Sequence, residues 1–184
     1  IKRFEGQIKG NQASLEIPKL VLETLHSEAE LKGNIPYAAF AKKPKDQMDV
    51  TFWADLGKQD IVTLAGELPE EVIRVYPDTS LRIQAEAKGN LAALELNKLD
   101  AQLPGAFSIR TQGKGSSLQN EKQRDGEVEL KLFTDNLDFL LDFLPEESRS
   151  NYRIPKRMML SGNVRLAGQK YAGSLLLREG QGKI

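Results

Sequence analysis

The chain has 184 residues, with 26 basic and 26 acidic side chains, one histidine and no cysteine. The balanced charge excludes the long-range field that draws proteins to nucleic acid or to anionic membranes, so we expect no nucleic-acid partner. The lack of cysteine excludes disulfides and thiolate chemistry, and no apolar run approaches the roughly 20 residues of a membrane-spanning helix.

Residues 1–47 are predicted to form short strands, because their apolar residues alternate in brief runs. Gly10-Asn11 and Gly33-Asn34 are predicted to be turns, since both residue types tolerate positive φ. The segment from Lys19 to Glu30 also has partial helical spacing, but the alternation favours a strand. Phe40 to Gln47 carries three lysines and a proline and is predicted to be a surface loop.

A strand and a helix follow this loop. From Met48 to Leu56 every second residue is apolar, which is the period of a pleated strand. From about Asp60 the apolar residues change to helical spacing, which predicts an amphipathic helix that ends before Pro77 and is weakened by Gly66 and Pro69.

The stretch from Leu81 to Gly113 alternates through three segments separated by Gly89-Asn90 and Pro104-Gly105. It is predicted to form three strands joined by two turns. In the first segment Leu81 and Ile83 point to one face, whereas Arg82 points to the other. This stretch therefore predicts a sheet with one apolar and one polar face.

The last third of the chain repeats this order of elements. We expect a flexible loop from Lys114 to Asp125, a strand from Glu127 to Phe133, and a helix that begins at Asp135. One stripe of that helix is predicted to contain Leu137, Leu140, Leu141 and Leu144, and to be widened by Phe139 and Phe143. Two strands are expected after it, one on each side of a turn at Gly168, with Gly162-Asn163 as a further turn signal.

Two observations indicate internal repetition. Leu68-Pro69-Glu70-Glu71 recurs as Leu144-Pro145-Glu146-Glu147, and Gly-Asn pairs occur at positions 10, 33, 89 and 162. We expect N-terminal strands at 1–47, one repeat at 48–125 and an incomplete repeat at 126–184. The lack of an initiator methionine and the ending at Gly182-Lys183-Ile184 predict a fragment of a longer polypeptide.

The sequence offers no convincing catalytic or metal site, so we expect no enzyme and no cofactor. His26 has no nearby serine in a nucleophile motif. The acidic pairs after Pro69 and Pro145 suit the first turn of a helix, and Asp135, Asp138 and Asp142 share the polar side of one. The run from Gly113 to Ser116 lacks the full phosphate-loop pattern.

The apolar face has two possible fates. It can be covered by an opposing sheet, as in a plain β-sandwich, or a repeating sheet can curl into a trough whose apolar interior stays open. The repetition and the many medium-sized aliphatic residues favour the trough. The predicted fold is mainly β: a curved antiparallel sheet with one or two short amphipathic helices.

The segments LRIQAEAKGNL from Leu81 and MLSGNVRLAGQKY from Met159 resemble the repeats of TamB, in the AsmA-like family of envelope proteins, particularly those of Bacteroidetes type. The resemblance covers most of residues 48–184. It implies a long periplasmic protein, anchored in the inner membrane by parts absent here, with a β-taco-like trough. It also implies phospholipid transport between membranes, outer-membrane protein assembly and a TamA-like barrel partner.

The main hypothesis is a non-enzymatic module that shields lipid acyl chains. The residues predicted to line the groove share one strand face, and they are Leu81, Ile83, Leu94, Leu96, Leu103, Phe107, Ile109, Val128, Leu130, Leu132, Leu160, Val164 and Leu166. An alternative is a scaffold or chaperone that pairs with outer-membrane β-strands by β-augmentation.

Overall fold

One curved, ten-stranded antiparallel sheet makes up most of the computed structural model. The structure describes residues 1–66, 70–144 and 146–180. The strands are neighbours in the order in which they occur in the chain, and they are β1 (Arg3–Gly10), β2 (Ser14–Glu23), β3 (Ser27–Pro36), β4 (Met48–Leu56), β5 (Leu81–Asn90), β6 (Ala93–Leu103), β7 (Phe107–Ser116), β8 (Asp125–Thr134), β9 (Met158–Ala167) and β10 (Lys170–Glu179).

The strand predictions are largely confirmed. The alternation correctly predicted both ends of β4. The stretch from Leu81 to Gly113 contains β5, β6 and most of β7. The segment from Lys19 to Glu30 forms the end of β2, a turn and the start of β3. In the described part of the chain, β1 and β10 each pair on one side only, so the sheet does not close on itself.

The first predicted helix is divided into two. Helix α1 (Lys58–Ala65) ends at Gly66, whose φ of 78° is incompatible with a continuing right-handed helix. Helix α2 (Glu70–Val75) follows it. The prediction of one helix was therefore wrong, because the weakening glycine is a full break.

The second predicted helix is mostly a 3-10 helix, Asp138–Phe143, followed by the short α3 (Glu146–Arg149). The predicted leucine stripe is not formed as expected, since Leu140 is exposed, whereas Phe139, which was predicted to widen the stripe, is buried. Three-residue turns shift each side chain relative to an α-helix, which explains the error. Asp135 and Asp138 lie within 4 Å of Arg157 and Lys156 respectively.

Three turn or loop predictions were wrong. Gly33-Asn34 lies within β3 and Gly162-Asn163 lies within β9, so only Gly10-Asn11 and Gly89-Asn90 mark strand ends. The run from Gly113 to Ser116 belongs to β7 and is not a flexible loop. At Gly113 and Gly162 an added Cβ would overlap the backbone of the neighbouring strand, whereas at Gly33 it would make only ordinary contacts.

Helical segments follow both β4 and β8. Glu70 begins α2 and Glu146 begins α3, as expected for acidic residues in a first helical turn. Leu68, Pro69 and Pro145, which belong to the repeated motif, lie outside the described residues, as do Gly182, Lys183 and Ile184.

A cluster of buried hydrophobic residues lies at one end of the sheet. Leu103 and Phe139 are 1% and 9% exposed, and they pack with Ala106 at the turn between β6 and β7. The rings of Tyr76 and Phe139 meet edge to face, with their centroids 5.7 Å apart. The two helical segments thus contact each other and form a cap, which we define as residues 57–66, 70–80, 135–144 and 146–157.

A polar contact holds α1 against the turn between β2 and β3. The hydroxyl groups of Thr24 and Ser27 both donate to the Asp60 carboxylate, and the Ser27 hydroxyl donates at 2.5 Å. The Ser27 hydroxyl also accepts a hydrogen bond from the Gly57 amide at 3.0 Å. Because of these hydrogen bonds, first from Ser27 and then from Thr24, the pKa of Asp60 lies below its ordinary value of 3.8.

Replacing Leu103 with alanine is expected to lower the free energy of unfolding by about 2–4 kcal/mol, because it leaves a cavity beneath the cap. Urea denaturation followed by circular dichroism measures this change. Leu64→Ala is the control, since Leu64 is 79% exposed. Equal effects of the two substitutions would contradict the assignment of the core.

The Asp60 contact predicts a pH-dependent contribution to stability. A carboxylate with a lowered folded-state pKa stabilises the protein fully above its ordinary pKa, and this contribution disappears as the pH falls through the folded-state value. We expect the difference in urea midpoint between the wild type and Asp60→Asn to be largest near neutral pH, to begin to shrink as the pH approaches 3.8, and to disappear only below the lowered folded-state pKa. A difference that persists unchanged at low pH would show that the charge is not involved.

Candidate functional site

The apolar face of the sheet is the candidate site. Cross-strand pairing aligns one apolar residue from each strand in a single row that crosses all ten strands: Phe4, Leu22, Ala29, Ala54, Ile83, Ala101, Ile109, Leu132, Leu160 and Leu177. With about 4.8 Å between neighbouring strands, the row is about 43 Å long. We use "apolar face" for the side of the sheet that carries this row.

Two bulges keep the alternation in phase. Leu96 and Leu99 are three positions apart, and a register shift lies between them in the pairing with β7. A similar shift separates Ile17 from Leu20 in the pairing with β3. Since a bulge inserts extra residues on one strand, all four side chains stay on the apolar face despite the odd spacing.

No second sheet covers this face in the described part of the chain. The accessible surface of the protein is 12792 Å², whereas a compact monomer of 20.5 kDa is expected to have about 8,900 Å². Val128 and Val164, both on this face, are 41% and 38% exposed. The sandwich alternative is therefore not what the described residues form.

All thirteen predicted groove residues lie on the apolar face, as their cross-strand partners show. They do not share one environment. Leu103 is in the buried core, and Leu81 and Phe107 pack against it beneath the cap. Of the other ten, Val128 and Val164 are exposed and the remaining eight are half-buried.

A groove of about 300 Å³ runs over part of the apolar face. Its two walls are the leucines of β6, Leu94 and Leu96, and on the far side Val164 and Leu166 of β9. Val128 and Leu118 complete the apolar lining, and the lining of this groove is almost entirely nonpolar. A volume of this size holds roughly ten groups the size of a water molecule.

The floor of the groove is formed by glycine residues. Gly115 faces both Leu94 and Gly126, and Gly113 faces both Leu96 and Val128. The missing side chains lower the middle of the face between the taller walls. All nine glycines that lie within strands, at positions 6, 10, 33, 89, 113, 115, 126, 162 and 173, are on the apolar face.

Some of these glycines are also required by close contacts between strands. A Cβ atom on Gly162 would lie 2.0 Å from the carbonyl oxygen of Ser174 in β10. Gly10, in contrast, would place its Cβ no closer than 3.7 Å to another group. Sequence reasoning assigned Gly162 to a turn and missed its role in the sheet.

The opposite face is polar and carries charged pairs across strands. Examples are Arg82 with Asp55 at 3.2 Å and Arg165 with Asp125 at 3.3 Å. A hydrogen bond from Lys131, supported by one from Gln112, holds the pKa of Glu129 below its ordinary range. These exposed pairs contribute little stability each, but they keep this face hydrated.

The other candidates from the sequence are His26 and the acidic residues of the helical regions. His26 is exposed in the turn between β2 and β3. Within the residues that the structure describes, no group of three or more histidine, cysteine or acidic side chains is arranged to hold a metal ion. Among the helices in those same residues, none has the length and apolar character needed to cross a membrane.

Comparison with known proteins identified no matching family model, no similar curated protein and no similar solved structure. The function of the chain is therefore inferred from the geometry of the apolar face together with the resemblance in its sequence.

Replacing Gly162 with alanine is expected to loosen β10 from β9, because the new methyl group would overlap the Ser174 carbonyl. The amide groups of β10 should exchange with deuterium at least about tenfold faster, which corresponds to about 1.4 kcal/mol. Gly10→Ala is the matched control at the other edge of the sheet and should leave exchange unchanged. Unchanged exchange in both variants would contradict the close approach.

Proposed function

We propose that this chain is a non-enzymatic module of a TamB-like, AsmA-like envelope protein in the periplasm, and that its apolar face shields the acyl chains of phospholipids. The observation that carries the proposal is the unbroken apolar row across ten strands, on a face that the described residues leave largely uncovered. Such a surface is costly in water unless it contacts another apolar group.

Burial of hydrocarbon supplies the driving force for binding. Each methylene group that leaves water contributes about 0.8 kcal/mol. The walls at Leu94 and Val164 and the glycine floor give one hydrocarbon chain contacts on three sides. The hydrocarbon chain itself needs no polar recognition. This suits a module that carries lipid between two membranes and that assists outer-membrane assembly with a TamA-like barrel.

A second candidate is a scaffold that receives β-strands from another protein. The observation that favours it is the pair of free edges: every residue of β1 and β10 is exposed, and each strand has an unpaired side within the described part of the chain. Backbone groups on such edges pair readily with an added strand. In this function the edge strands β1 and β10 bind the strands of the partner, and the apolar face is not the main binding surface.

Ile83→Glu tests the shielding function. Ile83 is in the middle of the apolar row, and a carboxylate there is expected to abolish co-purification of phospholipid, as measured by native mass spectrometry of the periplasmic protein. Gln84→Glu is the matched control, because Gln84 is the next residue on the polar face and accepts a hydrogen bond from Lys98 at 2.5 Å. This variant should retain lipid.

Equal lipid retention by a folded Ile83→Glu variant would contradict the shielding function. Photo-crosslinkers placed at position 83 and at position 174 in β10 separate the two candidates. Lipid adducts at position 83 support shielding. Polypeptide adducts confined to position 174 support the strand-receiving scaffold instead.

A further inference from the structure

We propose that the groove holds a single anionic amphiphile with its headgroup at one particular end, which we call the basic rim and define as residues 41–47 and 117–124. This inference rests on the proposed function and goes beyond it by assigning the charge and the orientation of the ligand. The alternative for a hydrophobic trough is a ligand of any charge with its headgroup in free solvent.

The groove reaches the basic rim directly. Leu118 belongs to the rim and also lines the groove above Gly115. The Leu118 amide donates to the Leu91 carbonyl at 2.8 Å, which fixes the rim loop against the turn between β5 and β6. The Gln119 side chain donates to the Lys42 carbonyl at 3.4 Å, so the lysine-rich segment lies beside the mouth of the groove.

The charge of the rim is unbalanced. Residues 41–47 and 117–124 contain five basic and two acidic side chains. Lys42, Lys43, Lys45 and Lys122 are exposed, and within the residues described by the structure none of their ammonium groups has a carboxylate within 4 Å. The cations on the polar face, in contrast, mostly lie beside carboxylates.

The cap at the other end of the sheet has the opposite balance. Its described residues comprise nine acidic and six basic side chains. An anionic headgroup is therefore attracted to the basic rim and repelled from the cap. The hydrocarbon chain then extends along the strands, from Gly115 past Gly113 and toward the buried core at Leu103.

The size of the groove matches one such chain. A volume of about 300 Å³ accommodates roughly ten methylene-sized groups. The chemistry that fits is a carboxylate or phosphate headgroup on a hydrocarbon chain of medium length. Several lysine side chains act on that headgroup at once, so the attraction is sensitive to salt.

Titration calorimetry with two ten-carbon probes tests the inference. Sodium decanoate and 1-decanol have the same chain length but differ in the charge of the headgroup. At low ionic strength the wild type is expected to bind decanoate more tightly than decanol. The double variant K43E/K122E should bind decanoate about tenfold more weakly, because two attractive charges become repulsive, while its affinity for decanol should not change.

The double variant R74E/R153E is the matched control, because it reverses two exposed cations of the cap and should leave decanoate binding intact. Unchanged decanoate affinity in K43E/K122E, with both probes still bound, would overturn the headgroup assignment and leave the shielding function standing. Failure of the wild type to bind either probe would overturn both proposals.

Flotation with phosphatidylglycerol vesicles distinguishes a bound headgroup from a membrane surface. If the wild type floats with the vesicles, K43E/K122E does not, and both proteins bind decanoate equally, the basic rim is a membrane-docking surface and the headgroup assignment is wrong. If K43E/K122E loses decanoate affinity in solution, where no membrane is present, the assignment is supported.

Discussion

The cross-strand register is the constraint on which the rest of this structure depends. Side chains alternate between faces, so a slip of one residue in any pair of strands would move a whole strand's apolar residues to the polar face. The register instead holds an unbroken apolar row from Phe4 in β1 to Leu177 in β10. Where the spacing is odd, as at Leu96 and Leu99, a bulge restores the phase. The two-faced character of the sheet is thus maintained strand by strand.

A single-layer sheet has no second layer to bury its apolar face. Few of its described hydrophobic side chains are buried, and the cluster of Leu103, Ala106 and Phe139 lies at one end, at the cap. Most of the sheet is therefore held by backbone pairing and by contacts between neighbouring strands. Glycine on the apolar face allows strands to approach closely, as at Gly162, and lowers the floor between β6 and β9. Glycine on this face therefore has two roles, since Gly162 allows close contact between strands and Gly113 and Gly115 form the groove floor.

Alternation, turn residues and the change of period were enough to predict the strands, the faces and the presence of two helical regions, because these signals are local. The errors have physical reasons. Gly33 and Gly162 resemble turn residues in the sequence, but their backbones continue the strands because neighbouring strands pair on both sides of them. The leucine pattern after Asp135 suited an α-helix, whereas burial of Phe139 against Tyr76 accompanies a 3-10 helix. Such contacts join residues far apart in the chain.

The sequence by itself determined that the sheet has one apolar and one polar face, because alternation with a period of two is a property of the order of residues. The same alternation also placed all thirteen predicted groove residues on the apolar face. Only the tertiary structure decided that Leu103 is buried while Val128 is open, and that the glycines of β7 and β8 form a groove floor. It also decided that Gln119, next to Leu118, donates a hydrogen bond to the Lys42 carbonyl. These features depend on which strands and loops become neighbours, and that is fixed by pairing across the whole sheet.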